Sequence, residues 1–553
     1  MVRAANRADR QAGTKGSPSF GLAISCAIAF ATIVNAVSFF GSTLWVAPDT
    51  SYYVELAGGL AERLDFATPL FLIRPAGYPL MLAAILILFG TASSTAILVV
   101  QHAMVAATAA IVALIAWNLT RSRAAAVVAG LMCACSLQLI AFANVIMTEA
   151  PYTFVLVGSV YYLVRYHLHG RSRSLAAASL LAGVSYLFRP IGMSVVGVCL
   201  LAAFHRTMFS PAGSRCHTVT PVARLRRYLS PLVCALAPAL AVTVPGMIQN
   251  KLVHGGELSG RCADLALYYR VACIDKLDSA QSAALNEIKG VVNDAVNHGH
   301  LPPGADYRQW GVVWKAYESA KGVGLAESSA IMGQASKDLI REHPGRFAAL
   351  SAKYCYWMLM VPDSFYRFHP GGAPGVRTVE GERIRDAEAE IFDTSTYEPM
   401  MRRWTGPYER YLHLQEPVHA GRVAAFWSGL NRWFYRIVET GPHVGPFDSI
   451  YEAFTWACLL CAAGTLAARN RSTWFLVIAV IALQIGVSAV LAGPTPRYAV
   501  PIKPLLLLFP AMMIGTLARA TANVRQGSLR THKWRAKILF ARGGTSAQGV
   551  NPA

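Results

Sequence analysis

The chain has 553 residues, of which 54% are hydrophobic and only 14% are charged. Soluble domains carry about a quarter charged residues, so this composition excludes a cytosolic enzyme, a disordered chain and a small disulfide-rich scaffold. The formal net charge of +20 suggests nucleic acid as a partner. Where the charge lies along the chain decides whether that partner is retained. Repeated long apolar runs predict an α-helical polytopic membrane protein.

An apolar run of about 20 residues is long enough to cross the hydrocarbon core of a membrane. Residues 174–205 form a longer run that Arg189-Pro190 interrupts. Two short helices are predicted there, because proline removes a backbone donor and arginine is costly in lipid. Together with this pair we predict ten transmembrane helices, with twelve as the alternative. The remaining predicted spans are residues 20–46, 93–117, 124–144, 150–167, 228–248, 447–468, 473–492 and 498–518.

The apolar segment 78–90 is short for a span and predicts an interfacial or re-entrant helix. If it does not cross, the short basic loops and both termini share one side, which holds 23 of the 50 Lys and Arg residues but one of the 30 acids. Cytoplasmic loops collect Lys and Arg, so this side is predicted to be cytoplasmic. The charge is spread over loops beside the spans, which argues against nucleic acid and favours contact with anionic membrane lipid.

The predicted organisation has four parts, of which the second is a polar extracytoplasmic domain in the C-terminal half. Two amphipathic segments of this domain, Arg346–Met360 and Arg422–Val438, are predicted to lie on the membrane surface, or alternatively to span it. The Ala-rich, basic composition is typical of a high-GC bacterium, so we expect the inner membrane and a periplasmic outer face. The parts are an N-terminal transmembrane catalytic module, 1–248, with an outer loop, 46–92; the outer domain, 249–446; C-terminal transmembrane helices, 447–518; and a basic cytoplasmic tail, 519–553.

Most of the 11 cysteines lie in apolar runs, where they are expected to be packing residues. Cys262 and Cys273 both lie in the outer domain and are a candidate disulfide, because that compartment is expected to be oxidising. The sequence contains no zinc-site spacing, Walker A loop or dinucleotide-binding fingerprint. Because these motifs are absent, the sequence does not support an ATP-driven function.

Two acids occur where predicted helices begin at the outer face. Asp49, in PDTSYYVEL, follows the first span and has the chemistry of a general base for an acceptor hydroxyl. The alternative is an N-cap, because Asp also accepts backbone N–H bonds at helix starts. Glu149, in TEAPYTF, opens a later span, where the alternative to a functional role is simple compensation of the helix dipole.

Three arginines are candidates for binding a lipid phosphate on the same face. The forked guanidinium group matches the geometry of a phosphate, and several convergent cations would stabilise an anionic leaving group. The alternative is that each arginine only anchors a helix end at the interface. The candidates are Arg74 in LIRPAGYPL, Arg189 in YLFRPIG, and Arg497 in PTPRYAVPIKP, where Lys503 follows.

Taken together, these motifs resemble the polyprenol-phosphate-sugar-dependent glycosyltransferases of the type-C membrane fold. That superfamily includes protein O-mannosyltransferases and lipid A aminoarabinose transferases. The resemblance covers roughly the first 205 residues and the last 80 residues, and it does not extend to the outer domain. The motifs that carry it, in chain order, are PDTSYY, RPAGYPL, TEAPYTF, YLFRPIG and PTPRYAVPIKP.

The resemblance implies a glycosyltransferase that moves a hexosyl or pentosyl group from a polyprenyl-phosphate donor to a protein, lipid or glycan acceptor. It implies that Asp49 activates the acceptor hydroxyl, that Glu149 is a supporting acid and that Arg74 contacts the donor phosphate. Some relatives carry a second acid beside the first one or just before the basic residue. Here Thr50 and Ile73 occupy those positions, which counts against a metal-binding version of the site. No cofactor is certain, and a divalent metal stays an alternative.

Aromatic residues beside the charged positions are predicted to contact the sugar or the acceptor, and a one-step attack on the sugar would invert its anomeric centre. The rival functions are a multi-pass transporter, a lipid-linked polysaccharide ligase or polymerase, and a non-catalytic scaffold. Charges that cluster at one face, without an inverted repeat, count against the transporter. The predicted contact residues are Tyr52, Tyr53, Tyr78 and Tyr498.

Overall fold

In the computed structural model, regular structure within the described residues is helical. The predicted amphipathic segment Arg422–Val438, apart from isolated positions, and nearly all of the basic tail lie outside those residues. The structure describes residues 18–41, 49–90, 93–209, 221–254, 262–360, 450–465, 471–491, 493 and 496–518, with isolated positions at 422, 423, 425, 426, 429 and 521.

The helices follow the predicted spans along the chain, and short 3₁₀ segments join some of them at Pro69–Leu72, Pro190–Gly192 and Pro496–Ile502. In chain order the helices are α1 (Pro18–Gly41), α2 (Thr50–Arg63), α3 (Gly77–Phe89), α4 (Ser93–Thr120), α5 (Arg123–Ala134), α6 (Leu137–Ala143), α7 (Glu149–His169), α8 (Ser172–Phe188), α9 (Met193–Phe209), α10 (Pro221–His254), α11 (Cys262–Tyr268), α12 (Ala283–Asn297), α13 (Trp310–Lys321), α14 (Leu325–Glu342), α15 (Pro344–Met360), α16 (Ile450–Thr465), α17 (Arg471–Leu491), α18 (Lys503–Leu506) and α19 (508–518).

Five helical runs within the described residues are long and apolar enough to cross a membrane, and the bent pair of α5 and α6 makes up to six. The protein is therefore a helical chain with several candidate spans, while the count of ten stays a prediction. The region 124–144, predicted as one span, is instead two helices bent by 51°. The break falls at Cys135 and Ser136, whose backbone leaves the helical conformation.

The predicted break in the run 174–205 is confirmed. Helix α8 ends at Phe188, Arg189 is extended with φ −149° and ψ 129°, and a 3₁₀ turn begins at Pro190. Gly192 is needed inside this turn, because a Cβ there would lie 2.3 Å from the Ser185 hydroxyl oxygen. The tight turn places the Arg189 side chain at the end of the helix rather than along its lipid-facing side.

The predicted outer loop contains two helices, α2 and α3. Helices α2 and α3 pack against each other, and α3 also rests on α4 and on the end of α8. The short segment predicted at residues 78–90 is the 13-residue helix α3. Its position against α2 and α8 brings the first outer loop beside the Arg189 turn.

The described part of the predicted outer domain includes residues 262–360, a set of amphipathic helices whose buried residues join the apolar core of the molecule. Buried residues of α12 and α14 recur at helical spacing, as in Leu285, Ile288 and Leu339. Helix α15, which contains the predicted amphipathic segment Arg346–Met360, packs against α17 and against the Pro496–Ile502 segment. The thiol of Cys273 is free, and the side chain of Cys262 lies outside the described residues, so their pairing stays a prediction.

Candidate active site

Asp49 forms an ion pair with the first predicted phosphate-binding arginine. Asp49 occupies the N-cap position of α2, but its side chain makes no capping hydrogen bond. Its Oδ1 instead accepts a hydrogen bond from Nη2 of Arg74 at 2.6 Å. The two side chains are 18% and 24% exposed, so the pair is reachable from outside. The carboxylate therefore faces the charged side chain and not the helix start.

Glu149 forms a second ion pair with Arg189, and this pair is buried. Oε1 of Glu149 accepts from Nη2 of Arg189, whose Nε donates to the Thr148 hydroxyl at 2.7 Å. The Glu149 side chain is 0% exposed, and its Oε2 has no hydrogen-bond partner among the described residues. Glu149 also starts α7, where a negative charge suits the helix dipole. The position at the helix start is thus present, and a functional role for Glu149 stays a prediction.

Tyr53 lies beside the first ion pair, and its ionisation is influenced by the charges of both pairs. The Arg74 guanidinium lies 5.8 Å from the centre of the Tyr53 ring and 5.6 Å from the centre of the Tyr52 ring. Burial raises the pKa of Tyr53 to about 12, with opposing contributions from the charges of both ion pairs. This phenol is therefore protonated at neutral pH and can donate a hydrogen bond. Four of the charged side chains that the sequence indicated lie within electrostatic range of one ring.

The approach of the Arg74 loop to the Arg189 loop depends on Gly77, which belongs to the motif RPAGYPL. A Cβ at this position would lie 2.7 Å from the backbone carbonyl carbon and oxygen of Leu187. Only glycine therefore allows the start of α3 to approach the end of α8 so closely. Arg74 lies just before Gly77, and Arg189 lies just after Leu187. The close backbone contact is what brings the two arginine loops together.

A buried linker between α6 and α7 holds both acids in place. Gln101 of α4 donates to the carbonyl oxygens of Ala143 and Val145 at 3.0 and 2.9 Å. The Thr50 hydroxyl, next to Asp49, donates to the Ile146 carbonyl at 3.0 Å. Gln101 also accepts from the Tyr78 hydroxyl at 2.9 Å, so it ties α3 to the same linker.

Two of the four predicted aromatic contact residues are buried beneath the site. Tyr78 is 0% exposed and packs edge-to-face against Tyr53, with ring centres 5.0 Å apart. Tyr53 itself is 5% exposed, whereas Tyr52 is half-buried. Tyr78 therefore supports the Tyr53 ring from behind, and Tyr52 is better placed to meet a ligand.

The C-terminal helices close the site beside Arg189. The ring of Tyr498 lies 5.3 Å from the Arg189 guanidinium, and the ring of Tyr152 lies 5.7 Å from it. Arg497 belongs to the same Pro496–Ile502 segment, but its side chain lies outside the described residues, so its phosphate role stays a prediction. Lys503 is 8% exposed and donates to the side-chain oxygen of Gln138.

Sequence reasoning did not single out the polar residues that support these charges. Gln484 of α17 accepts from the Tyr152 hydroxyl at 2.6 Å and donates to Ser194 at 2.9 Å, which fixes the ring on which Arg189 stacks. Gln101 plays the corresponding part for Tyr78. Both glutamines stand inside apolar runs, and a polar residue at membrane depth is the signal that would have identified them.

The described residues do not present a set of ligands for a metal ion. No three His, Cys, Asp or Glu side chains converge anywhere in the part of the chain that the structure describes. Asp49 and Glu149 each pair with a guanidinium through one oxygen, and their charges are already balanced by Arg74 and Arg189. The donor set as arranged does not fit a resident divalent ion, so no chemical step below uses one.

The part of the chain that contains most of these residues is similar to a known family. Residues 74–238 match the family model of dolichyl-phosphate-mannose-protein mannosyltransferases. This match confirms the resemblance that the motif order indicated, and the matched region contains Arg74, Tyr78, Glu149 and Arg189. Asp49 and Tyr498 lie outside it. The match supports a membrane glycosyltransferase and does not distinguish hexosyl from pentosyl transfer.

One solved structure similar to the chain is the arabinosyltransferase EmbB from Mycobacterium smegmatis, at 14% sequence identity and a TM-score of 0.34. The alignment covers 92% of this chain and 43% of that one, so this chain spans less than half the length of EmbB. A comparison with curated proteins gives no match. The inferences below therefore rest on the site geometry and the family match.

Proposed function

We propose that the protein transfers a sugar from a polyprenyl-phosphate donor to an acceptor hydroxyl at the outer face of a bacterial inner membrane. The observation that carries this proposal is the accessible Asp49–Arg74 pair beside the turn that holds the Glu149–Arg189 pair, where Gly77 meets the Leu187 backbone. One accessible carboxylate beside two cations is the charge set that such a transfer needs. The donor's lipid tail stays in the bilayer, which is consistent with a site at the ends of membrane helices.

The transfer breaks one bond and forms another at the sugar C1. Asp49 accepts the proton of the acceptor hydroxyl, whose oxygen attacks C1 as the bond from C1 to the phosphate oxygen breaks. The lipid phosphate leaves with one more negative charge, which Arg74 and Arg189 stabilise. Attack opposite the leaving group inverts the anomeric centre.

The Asp49–Arg74 pair indicates how donor binding prepares the base. Oδ1 of Asp49 accepts a hydrogen bond from Arg74, and it must exchange this bond for one from the acceptor hydroxyl. A donor phosphate competes for Arg74, because a guanidinium binds phosphate through two parallel bonds. Movement of Arg74 to the phosphate then frees Asp49 for the acceptor. The negative charge of the donor phosphate is thus paired with Arg74 before Asp49 accepts the proton of the acceptor hydroxyl.

Glu149 has a different part in the proposal. Its carboxylate is fully buried against Arg189, so it cannot reach an acceptor without rearrangement. We assign it to holding Arg189, which also stacks on Tyr152 and Tyr498, at a fixed position beside the donor phosphate. The outer domain, 249–446, is assigned to acceptor recognition, and both chain termini to the cytoplasmic side.

The proposal is tested in cells that lack the protein and are complemented with the wild type or with Asp49→Asn. Mass spectrometry of lipid extracts and glycans should show accumulation of one polyprenyl-phosphate sugar and loss of one glycan. The wild type should reverse both changes and Asp49→Asn neither, provided that the variant is present in membranes at the wild-type level. Unchanged lipid-linked sugars, or full rescue by Asp49→Asn, would reject the proposal and favour a transporter.

Product stereochemistry tests the single-step mechanism separately. Once the donor is identified, NMR of the product reports the anomeric configuration. Inversion is expected, and net retention would reject a single displacement while leaving the transferase assignment intact.

A further inference from the structure

A fully buried arginine of the outer domain contacts the end of a membrane helix. Arg270 lies in the π-helical turn Tyr269–Ile274 that continues α11, and its side chain is 0% exposed. π-helical turns are rare and often occur at functional sites. The transfer mechanism does not use Arg270, so the burial of its charge calls for a separate explanation.

The Arg270 guanidinium caps α17. Its Nη1 donates to the carbonyl oxygens of Ala489 and, at 2.7 Å, of Val490, which lie in the last turn of that helix. Carbonyl groups at a helix end lack partners within the helix and carry the negative end of its dipole. A buried cation therefore satisfies two carbonyl groups at once and joins the outer domain to the membrane helix.

The same guanidinium is held on its other sides by α15 and by a buried acid. Its Nη2 donates to the Ser351 hydroxyl at 2.9 Å, and the group stacks on Phe347 at 4.3 Å from the ring centre. Nε lies 3.3 Å from Oδ2 of Asp275, whose Oδ1 accepts from the Tyr354 hydroxyl at 2.6 Å. Arg270 thus fixes three elements in one orientation with its charge balanced.

Gly493, two residues beyond the end of α17, lies against this cluster. Gly493 has φ +76°, and a Cβ there would lie 2.9 Å from Cδ1 of Ile274 and 3.9 Å from Cγ of Arg270. The Pro496–Ile502 segment follows, packs on α15 and α7, and places the Tyr498 ring on Arg189. A continuous line of contacts therefore runs from the outer domain to the cation assigned to the donor phosphate.

We propose that Arg270 is a positioning residue that fixes the outer end of α17 and, through it, holds Tyr498 of the Pro496–Ile502 segment against Arg189. The outer domain would thereby set the geometry of the donor site. This inference rests on the proposed function, because it assigns Arg189 to the donor phosphate. The effect of Arg270 on the stability of the Pro496–Ile502 segment can be measured without any donor.

The first test is hydrogen–deuterium exchange of the full-length protein in lipid nanodiscs, comparing the wild type with Arg270→Lys. Lysine keeps the charge beside Asp275 but lacks the fork that reaches two carbonyl groups and the plane that stacks on Phe347. Amide exchange in the Pro496–Ile502 segment should become about tenfold faster, and exchange in α2 should not change. Unchanged exchange in that segment would overturn the proposal.

Arg346→Lys is the matched control. Arg346 is an exposed arginine of the same domain whose side chain donates to the Asp275 backbone oxygen at 3.1 Å. Arg346→Lys is the same type of substitution as Arg270→Lys, but it lies at the edge of the cluster and does not touch the α17 carbonyl groups. We expect exchange in Pro496–Ile502 and lipid binding to remain at wild-type values. An equal effect of both variants would mean that Arg270 acts only through the stability of the outer domain.

The second test measures the consequence for the donor site with undecaprenyl phosphate as the probe, by native mass spectrometry. The Kd of folded Arg270→Lys should rise about tenfold, which is within the usual range of coupling between sites. Faster exchange with an unchanged Kd would overturn the link to Arg189. No binding to the wild type would contradict the proposed donor, while the exchange result would still decide whether Arg270 holds the segment.

If Arg270→Lys does not fold, Gly493→Ala tests the same contact from the other side. Its methyl group would press on Cδ1 of Ile274 and occupy a left-handed backbone position, so exchange in Pro496–Ile502 should rise. Adding Ile274→Val removes the methyl group that is struck and should recover part of the effect. A Gly493→Ala protein with wild-type exchange and lipid binding would reject the proposal.

Discussion

The two ion pairs of the site have the same chemistry but different environments. Asp49–Arg74 is partly exposed, at 18% and 24%, whereas Glu149–Arg189 is 0% and 11% exposed. An exposed pair gains little from its Coulomb attraction and can exchange partners with a ligand, while a buried pair is costly to open. The difference supports the proposal that the first pair takes part in the reaction and the second holds the site together.

The largest effect is expected for Asp49→Asn. Removing a general base costs about 10²–10⁴ in turnover, and the amide keeps the size of the side chain. The exposed ion pair contributes at most about 1 kcal/mol, so the melting temperature should change little. Turnover of the purified enzyme and thermal unfolding in detergent check both parts. A large loss of stability would show that this pair, too, is structural.

Glu149→Gln should reverse that pattern. It leaves the buried Arg189 without its counter-charge, and breaking such a pair costs about 3–5 kcal/mol of stability. The control is Glu287→Gln, which opens the exposed Lys321–Glu287 pair in the outer domain. This control should change stability by less than about 1 kcal/mol. Thermal unfolding of both variants decides the point, and a Glu149→Gln protein of wild-type stability would contradict a holding role.

Gly77→Ala tests whether the two pairs must be close to each other. The added methyl group would meet the Leu187 backbone at 2.7 Å, so α3 or α8 has to shift at a cost of about 1–3 kcal/mol. Turnover should fall because Arg74 and Arg189 move apart. Gly246→Ala in α10 is the matched control, because a Cβ there would meet no described atom within 4 Å outside its own stretch of helix. It should be neutral or slightly stabilising. Full activity of Gly77→Ala would show that the approach is dispensable.

Gln101→Leu should have the smallest effect. It keeps the size of the side chain but removes the bonds to Tyr78 and to the linker carbonyls of Ala143 and Val145. Unpaired buried groups of this kind cost about 1–3 kcal/mol. We expect a modest fall in kcat with the KM for the donor preserved, because the arginines are not touched. A rise in KM alone would place Gln101 in donor binding instead.

The motif order identified the acids and arginines, and the structure shows which of them meet. Asp49 was predicted as either a base or a cap, and its contact with Arg74 decides against the capping bond. Glu149 was predicted from its helix start, but its burial and its partner Arg189 could not be derived from local sequence. Tyr78 was predicted to contact sugar and lies behind Tyr53. These outcomes depend on side chains that are distant in the sequence.

Helix positions could be predicted from the sequence alone, because apolar length and proline breaks act within a few residues of the chain. The break at Arg189-Pro190 and the short helix α3 are of this kind. The composition and loop charge also predicted a membrane protein with its reactive residues on one face. The bend between α5 and α6 was not predicted, since no proline or charge marks it.

Only the tertiary structure decided how the site is assembled. The ion pairs join residues 25 and 40 positions apart, and Tyr152 meets Gln484 across 332 positions. Such pairings depend on close backbone approaches such as that of Gly77 to Leu187, and on polar residues buried among membrane helices. Their energies depend on burial and distance, which no local pattern encodes. The sequence therefore determined which groups are present, and the packing determined which of them act together.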